Sequence, residues 1–345
     1  MKKIVYFLLI LALAIPSFFG CKTTGKDADA GDKNKIVIYT SMYEDIIEGM
    51  KQNLKKQFPR KTIELVYGGT GNIQKRVSAE LASGRLGCDI LMVAEPAYSL
   101  ELKEKYMLHP YKSREAANLA FDYDPDGCWY PVRVSNMVLA FNPARQSRNS
   151  IPNSFHDFAH DTKVNGKISM RSPLTSGTSM ATVTALRDKY GYEYFNALSK
   201  QNIQIDYGSD TPLTKLETGE NSVIMILEES ILKRRKEGSK LEVIYPTDGV
   251  VMIPSTIMII SDKLSANKNS ETAEAVVDWF LSEEGQNAMV DGGMHSVRKS
   301  FNRLPYDAKP TAEIRMNSLA VNWENYFRQR KEIQDMFQDY LANRK

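Results

Sequence analysis

The sequence predicts an α/β protein of two lobes, each a mixed sheet flanked by helices, with two extended strands joining them. Three observations carry this. Strand-like apolar runs alternate with helical stretches from Lys35 onward, a second set of the same alternation begins near residue 166, and two long apolar segments, 132–142 and 250–260, separate and rejoin the sets. Strand, turn and helix in repetition mark an open parallel or mixed sheet covered on its faces.

Residues 36–39 form the first strand, followed by Ser41 and a helical pattern to Gln57. The second is 62–67, after which Gly68-Gly69-Thr70-Gly71 opens a helix reaching Ser83. A third, 89–94, ends in Glu95-Pro96. Ligands of such sheets sit beyond the carboxyl ends of the strands, which places 40–43, 68–72 and Glu95 on one rim. In the second set, 166–170 leads into 172–179 and a helix from about Met180 to Tyr190, and 222–227 leads into Glu228-Glu229-Ser230 and a charged helix to Glu237. A chain that crosses twice between two sets makes a hinge. The expected division is 35–134 plus 258–345 for lobe 1 and 135–257 for lobe 2. Helices follow over 271–291 and along the tail 311–345, where Trp323, Tyr326 and Phe327 are expected to pack against a lobe.

Ahead of the folded body stand Lys2 and Lys3, an apolar run over 4–19, then Gly20 and Cys21. A basic start, a short hydrophobic stretch and a small residue are the pattern of a secretory signal peptide, here 1–20, too short for a comfortable membrane span. The Gly20-Cys21 junction resembles the lipobox of bacterial lipoproteins, which implies lipidation at Cys21 and a protein held at a membrane outside the cytoplasm. The segment 21–34, rich in Lys, Asp, Gly and Thr without apolar periodicity, reads as a flexible tether. Lys and Arg total 45 against 42 Asp and Glu, a formal charge of +3 that falls to +1 without Lys2 and Lys3. A balance so near neutral argues against a nucleic-acid partner. Cys88 and Cys128 could pair in an oxidising compartment, and the sequence leaves that open. Their spacing offers no zinc site, and neither metal nor cofactor is expected.

The chemistry centres on Thr175, Ser176, Gly177, Thr178 and Ser179, just before a helix. The first amides of a helix lack intrahelical partners and carry its positive dipole end, so an anion fits there. Glycine keeps side-chain bulk away from anion oxygens, and four hydroxyl residues around it exceed what a single N-cap requires. Ser41, Thr70 and Gly71 can supply the same kind of donor from the other lobe, so that closure wraps one anion from both sides. The run from Gly177 to Ala181 also resembles the nucleophile motif of subtilisin-like proteases, with Ser179 as the serine. A triad needs a base and an orienting acid, and none of His109, His156, His160 and His295 stands in that family's histidine setting. A serine hydrolase is therefore the lesser alternative, and a non-enzyme is expected. Glu228, Glu229 and Asp206 can accept hydrogen bonds from hydroxyls in charge-assisted form. Tyr43 and Glu44 stand where the first loop approaches a ligand, Arg133 and Ser135 lie on the hinge, and Asp248-Gly249 reads as a turn.

In order along the chain, the opening strand and loop, Gly69-Thr70-Gly71, the segment ending Ala140-Phe141-Asn142-Pro143, Ser176-Gly177-Thr178, Gly219-Glu220 and 282–286 resemble the extracytoplasmic solute-binding proteins of ABC importers. The resemblance covers about 35–298 and is greatest to the branch holding ferric-iron-binding and hexose-phosphate-binding proteins. It implies the type II periplasmic-binding-protein fold and delivery of a small solute to the transmembrane subunits of an ABC permease. The ferric branch carries adjacent tyrosines where this chain has Glu228-Glu229, so the resemblance implies a phosphorylated sugar, with iron as the alternative. Phosphate is then expected on Ser41, Thr70, Gly71 and 175–179, and the sugar on Tyr43, Asp206, Glu228 and Glu229, of which Glu229 matches the sugar-phosphate branch better.

Overall fold

The protein is described by a computed structural model over residues 31–208 and 210–342. The expected signal peptide, Cys21 and most of the expected tether lie outside the described residues. The chain opens with β1 (Lys35–Thr40), α1 (Glu44–Gln57), β2 (Thr62–Tyr67), α2 (Thr70–Ala82), β3 (Ile90–Val93) and α3 (Pro96–Glu104). The long strand β4 (Tyr130–Phe141) leads to α4 (Phe155–His160), β5 (Ile168–Arg171), α5 (Gly177–Tyr190), α6 (Glu193–Lys200) and β6 (Gln204–Asp206). Then come α7 (Asp210–Thr218), β7 (Val223–Leu227), α8 (Glu228–Lys236), β8 (Glu242–Ile244) and the second long strand, β9 (Val250–Ile259). The chain closes with α9 (Ser270–Leu281), α10 (Glu283–Asp291), α11 (Thr311–Met316), β10 (Ser318–Leu319) and α12 (Trp323–Ala342).

One ladder runs through both halves in the order β2-β1-β3-β9-β4-β7-β5-β6, with β10 on β9 and β8 on β4. β1 pairs in parallel with β2 and β3, and β5 in parallel with β6 and β7. The long strands β4 and β9 are antiparallel to each other at the centre, with a register shift between Pro131 and Arg133. Val134, opposite Pro254, exchanges both backbone hydrogen bonds with His295, so Pro254 stands where the ladder calls for no N–H. The hinge pair is therefore a stretch of continuous sheet.

Why the strand runs are solidly apolar follows from burial on both faces. Along β1, Ile36 and Ile38 enter one core with Met50, Phe280 and Met289, while Val37 and Tyr39 enter another with Leu91 and Trp129. β7 repeats the device: Val223, Met225 and Leu227 face Phe155, Val183 and Phe195, and Ile224 and Ile226 face Leu213 and Leu241. Each such buried side chain contributes about 1.5–3 kcal/mol. The aromatic face of α12 joins the second half, Tyr326 and Phe337 packing in the cluster of Phe195, and the helix also lies on α3.

Two expected elements differ. The single helix expected over 271–291 breaks at Ser282, whose Oγ accepts from Gly285 N at 3.2 Å and starts a new helix. A Cβ at Gly285 would stand 2.0 Å from Trp279 O, so the helix junction is too close for any other residue. The tail is likewise divided into α11, β10 and α12. Cys88 and Cys128 are both free thiols, and burial pushes the Cys128 thiol up to about 11. Among the described residues no helix is long and apolar enough to cross a membrane.

Candidate functional site

Five strand ends converge. β1 delivers Ser41 and Tyr43, β2 delivers Gly69 and Thr70 at the start of α2, and β3 delivers Ala94. From the other half, β5 ends in Arg171 ahead of the 172–178 loop, and β7 ends in Leu227 ahead of Glu229. With Arg133 of β4 these residues line a cavity of about 20 Å³. That volume holds roughly one water, so a larger group enters only if the two halves part. A vestibule of about 290 Å³ adjoins it, sharing Tyr43, Tyr67 and Glu229 and adding Asp210, Ser230 and Lys233. Tyr43, Arg171, Thr178 and Ser179 border a third, much smaller space.

The inner cavity is a seam between two helix starts. Ser176 caps α5: its Oγ accepts from Ser179 N at 3.2 Å and shares a hydrogen bond with Thr178 Oγ1 at 3.0 Å. The Gly177 and Thr178 amides precede the first intrahelical bond. Across the seam Thr70, the first residue of α2, accepts from Ala94 N at 3.2 Å through Oγ1. The chains touch so closely that side chains are excluded: a Cβ at Gly69 would stand 2.5 Å from Thr175 O, one at Gly71 2.5 Å from Leu174 O, and one at Gly177 2.8 Å from the Thr70 side chain. Gly71 N donates to Thr175 O at 3.4 Å.

Charge is arranged around that seam. Arg133 is 3% exposed and Glu229 4%. Glu229 accepts from Ser135 Oγ at 2.9 Å and lies 3.8 Å from Arg133 Nη1, which also contacts Met294 Sδ at 2.8 Å. Burial raises the Glu229 carboxyl and lowers the Arg133 guanidinium from their usual ranges, each opposed by the other's charge. Arg171 Nη1 donates to the Tyr43 hydroxyl at 3.1 Å, and burial raises that phenol against the pull of Arg171. The Tyr43 and Tyr67 rings lie 6.5 Å apart. Three buried polar atoms here have no protein partner: Arg133 Nε, Arg171 Nε and Ser41 Oγ. Two helix starts, two guanidiniums and unfilled donors make an environment for an anion.

Of the residues expected from the sequence, Ser41, Tyr43, Thr70, Ser176, Gly177, Thr178 and Glu229 line the inner cavity. Ser179 borders the small third space, while Gly71 and Thr175 form the contact between the halves behind the lining. Asp206 and Glu228 stand elsewhere. Asp206, at the end of β6, is held 2.8 Å from Lys215 Nζ. Glu228 is 1% exposed and its oxygens are taken by Asn136 Nδ2 at 2.7 Å, His295 Nε2 at 2.8 Å and the Tyr245 hydroxyl. Adjacent on the first turn of α8, Glu228 and Glu229 point into different surroundings. The sequence reading missed Arg171 and Tyr67, and it had Gly69 on the rim without a role in the site. Arg171 had a signal, since it occupies the carboxyl end of a strand. The four histidines sit apart from Ser179: His109 on Glu274 at 2.8 Å, His156 stacked on His160 at 4.3 Å, and His295 on Glu228 and Thr311.

The family model of bacterial extracellular solute-binding proteins matches residues 88–329. An uncharacterized protein of Haemophilus influenzae is 23% identical over 270 residues, 74% of this chain and 75% of that protein. Among solved structures, the periplasmic binding protein AfuA of Actinobacillus pleuropneumoniae, with fructose-6-phosphate bound, superposes with a TM-score of 0.79 at 20% identity, over 90% of this chain and 100% of that one. Iron-bound HitA of Pseudomonas aeruginosa gives 0.76 at 20% identity, over 89% and 99%. These likenesses show the type II periplasmic-binding-protein fold.

Proposed function

The chain belongs to the bacterial extracellular solute-binding protein family, and on that premise we propose that it captures a hexose phosphate between its two lobes and presents it to an ABC permease, tethered to the membrane through lipid on Cys21. The lobes are 35–134 plus 258–345 and 135–257, with α12 reaching across to the second. One observation carries the reading: Arg133, almost wholly buried, leaves Nε without a partner in a cavity where the first turns of α2 and α5 meet. Phosphoryl oxygens complement that set of amides, hydroxyls and guanidinium groups. The sugar extends into the vestibule, where Glu229, Asp210 and Ser230 meet its hydroxyls and Tyr43 and Tyr67 offer ring faces. Entry parts the Gly69–Gly71 and 174–177 segments, and the glycines let them close again.

Ferric iron is a second reading, favoured by Tyr43, Tyr67 and Glu229 lining one vestibule as hard oxygen donors. The guanidiniums of Arg133 and Arg171 beside it weigh against a trivalent cation. A thermal-shift titration separates the two. Glucose 6-phosphate is expected to raise the melting midpoint with the logarithmic dependence of ligand linkage, above the effect of inorganic phosphate, and ferric citrate to leave it unchanged with no visible charge-transfer band. A band with iron, and no shift with any hexose phosphate, would replace the sugar phosphate by the metal.

A further inference from the structure

Of the two arginines beside the inner cavity, only Arg133 has a carboxylate. Glu229 stands 3.8 Å from it, while Arg171 is engaged through Nη1 by the neutral hydroxyl of Tyr43 and leaves a buried Nε unused. Among the described residues no carboxylate pairs with Arg171. The titratable groups facing the seam are Arg133, Arg171, Glu229, Tyr43 and Tyr67. Two guanidiniums less one carboxylate leave a charge of +1. Each helix start adds about half a positive charge, and α2 and α5 both begin here, so the cavity presents roughly +2. That number has a chemical meaning. A phosphate monoester carries nearly two negative charges above its second pKa near 6, whereas a sulfate ester, a phosphodiester or a carboxylate carries one.

We propose that Arg171 is the specificity-determining residue that tunes this cavity to the dianion of a phosphate monoester and against monoanionic groups of similar shape. The inference rests on reading the seam as a phosphate site, and it goes beyond it by assigning the charge state that is bound. Arg171 comes from the end of β5 and Tyr43 from the loop after β1, so their hydrogen bond spans the seam between two residues that line the cavity. An arriving phosphoryl group takes up the free Nε of Arg171, and the guanidinium retains Tyr43 through Nη1. Anion capture and the meeting of the halves thereby share one side chain.

The test is calorimetry on the full chain, wild type, Arg171→Gln and Arg171→Lys, with glucose 6-phosphate, glucose 6-sulfate and inorganic phosphate at pH 5.0 and 7.5. For wild type the phosphate ester is expected to bind at least 30-fold more tightly than the sulfate ester at pH 7.5. Its affinity is expected to fall about tenfold at pH 5.0, where roughly a tenth of it is dianion. In Arg171→Gln the phosphate-to-sulfate ratio collapses toward one and the pH dependence flattens, while Arg171→Lys retains the wild-type order. A ratio is used because general damage to the fold lowers both affinities and leaves it unchanged. An Arg171→Gln protein with the wild-type ratio, or a wild type that takes the sulfate ester equally well, overturns the assignment. If the glucose esters give no heat while inorganic phosphate still shows the dependence on Arg171 and pH, the sugar reading falls and the charge assignment stands. If inorganic phosphate is silent too, both fall.

Discussion

Gly177 offers a substitution whose effects on stability and on binding have opposite signs. It is the first residue of α5 and its φ lies outside the left-handed region, so alanine fits the backbone. Replacing a helical glycine by alanine stabilises by up to about 0.5–1 kcal/mol. The added Cβ, however, would stand 2.8 Å from both Cβ and Oγ1 of Thr70 across the seam, and 3.0 Å from its Cγ2. Thr70 cannot swing aside freely, because its Oγ1 holds Ala94 N and the residue is 1% exposed. Overpacking of this kind costs about 1–3 kcal/mol, and here it falls on the state in which the halves meet. Gly177→Ala is thus expected to melt no lower than wild type without ligand and to bind glucose 6-phosphate about 5- to 150-fold more weakly. Gly49→Ala is the control, since a Cβ there meets nothing within 4 Å on α1, and it should leave affinity untouched. Denaturation midpoints and calorimetry suffice. A Gly177→Ala protein with wild-type affinity would show that contact between the 69–71 and 174–177 segments is no part of ligand capture.

Gly71→Ala, whose Cβ would meet the backbone oxygen of Leu174 at 2.5 Å, should weaken binding at least as much, read by the same titration. Burial raises the Glu95 carboxyl to about 7 against the pull of Arg330; a folded value above the unfolded 4.5 means stability is fullest below pH 4.5 and is lost as pH rises through 7. Unfolding free energies of wild type from urea titration should therefore fall relative to those of Glu95→Gln between pH 4.5 and 8, by on the order of 3 kcal/mol, and parallel profiles would refute the assignment. Glu228→Ala strips the shared partner of Asn136, Tyr245 and His295 and is expected to destabilise by about 3–5 kcal/mol; Glu229→Gln should instead weaken ligand binding with a smaller loss of stability, and the reverse order would mean the two carboxylates have been misassigned. Asp206→Asn loosens Lys215 and should leave affinity for glucose 6-phosphate within twofold of wild type, so a large loss by calorimetry would return Asp206 to the site.

Much of the architecture was legible because its signals are local. The 62–67 strand follows Pro59 and stops at Gly68-Gly69, and the two long crossing strands are the longest extended apolar runs in the folded body. What was not legible depends on pairings distant in the chain or hidden by uniform composition. The break at Ser282 lies inside a run that reads as helical, where Ser282 caps a new helix and Gly285 passes close to Trp279. Glu228 and Glu229 are identical in sequence, and only the helix start decides which meets Arg133 and which meets His295. Asp206 looked free because Lys215 lies nine positions on, with a helix start between them. Arg171 occupied a strand end that the carboxyl-end rule covers, yet the hydroxyl-rich loop after it drew the attention.

The crossing of β4 and β9 bears on how such a molecule opens. Seven positions from Tyr130 to Met137 are matched with Ile257 to Val251, and peeling them apart would strand backbone groups in the middle of the protein. An opening that keeps this pairing would take the form of torsion, a turning of one side about the ribbon as about a twisted bar. The irregular register between Pro131 and Arg133 marks where that bar bends and twists most. Arg133 adjoins this irregularity and also lines the inner cavity, so the cavity's charge is carried on the crossing strands themselves.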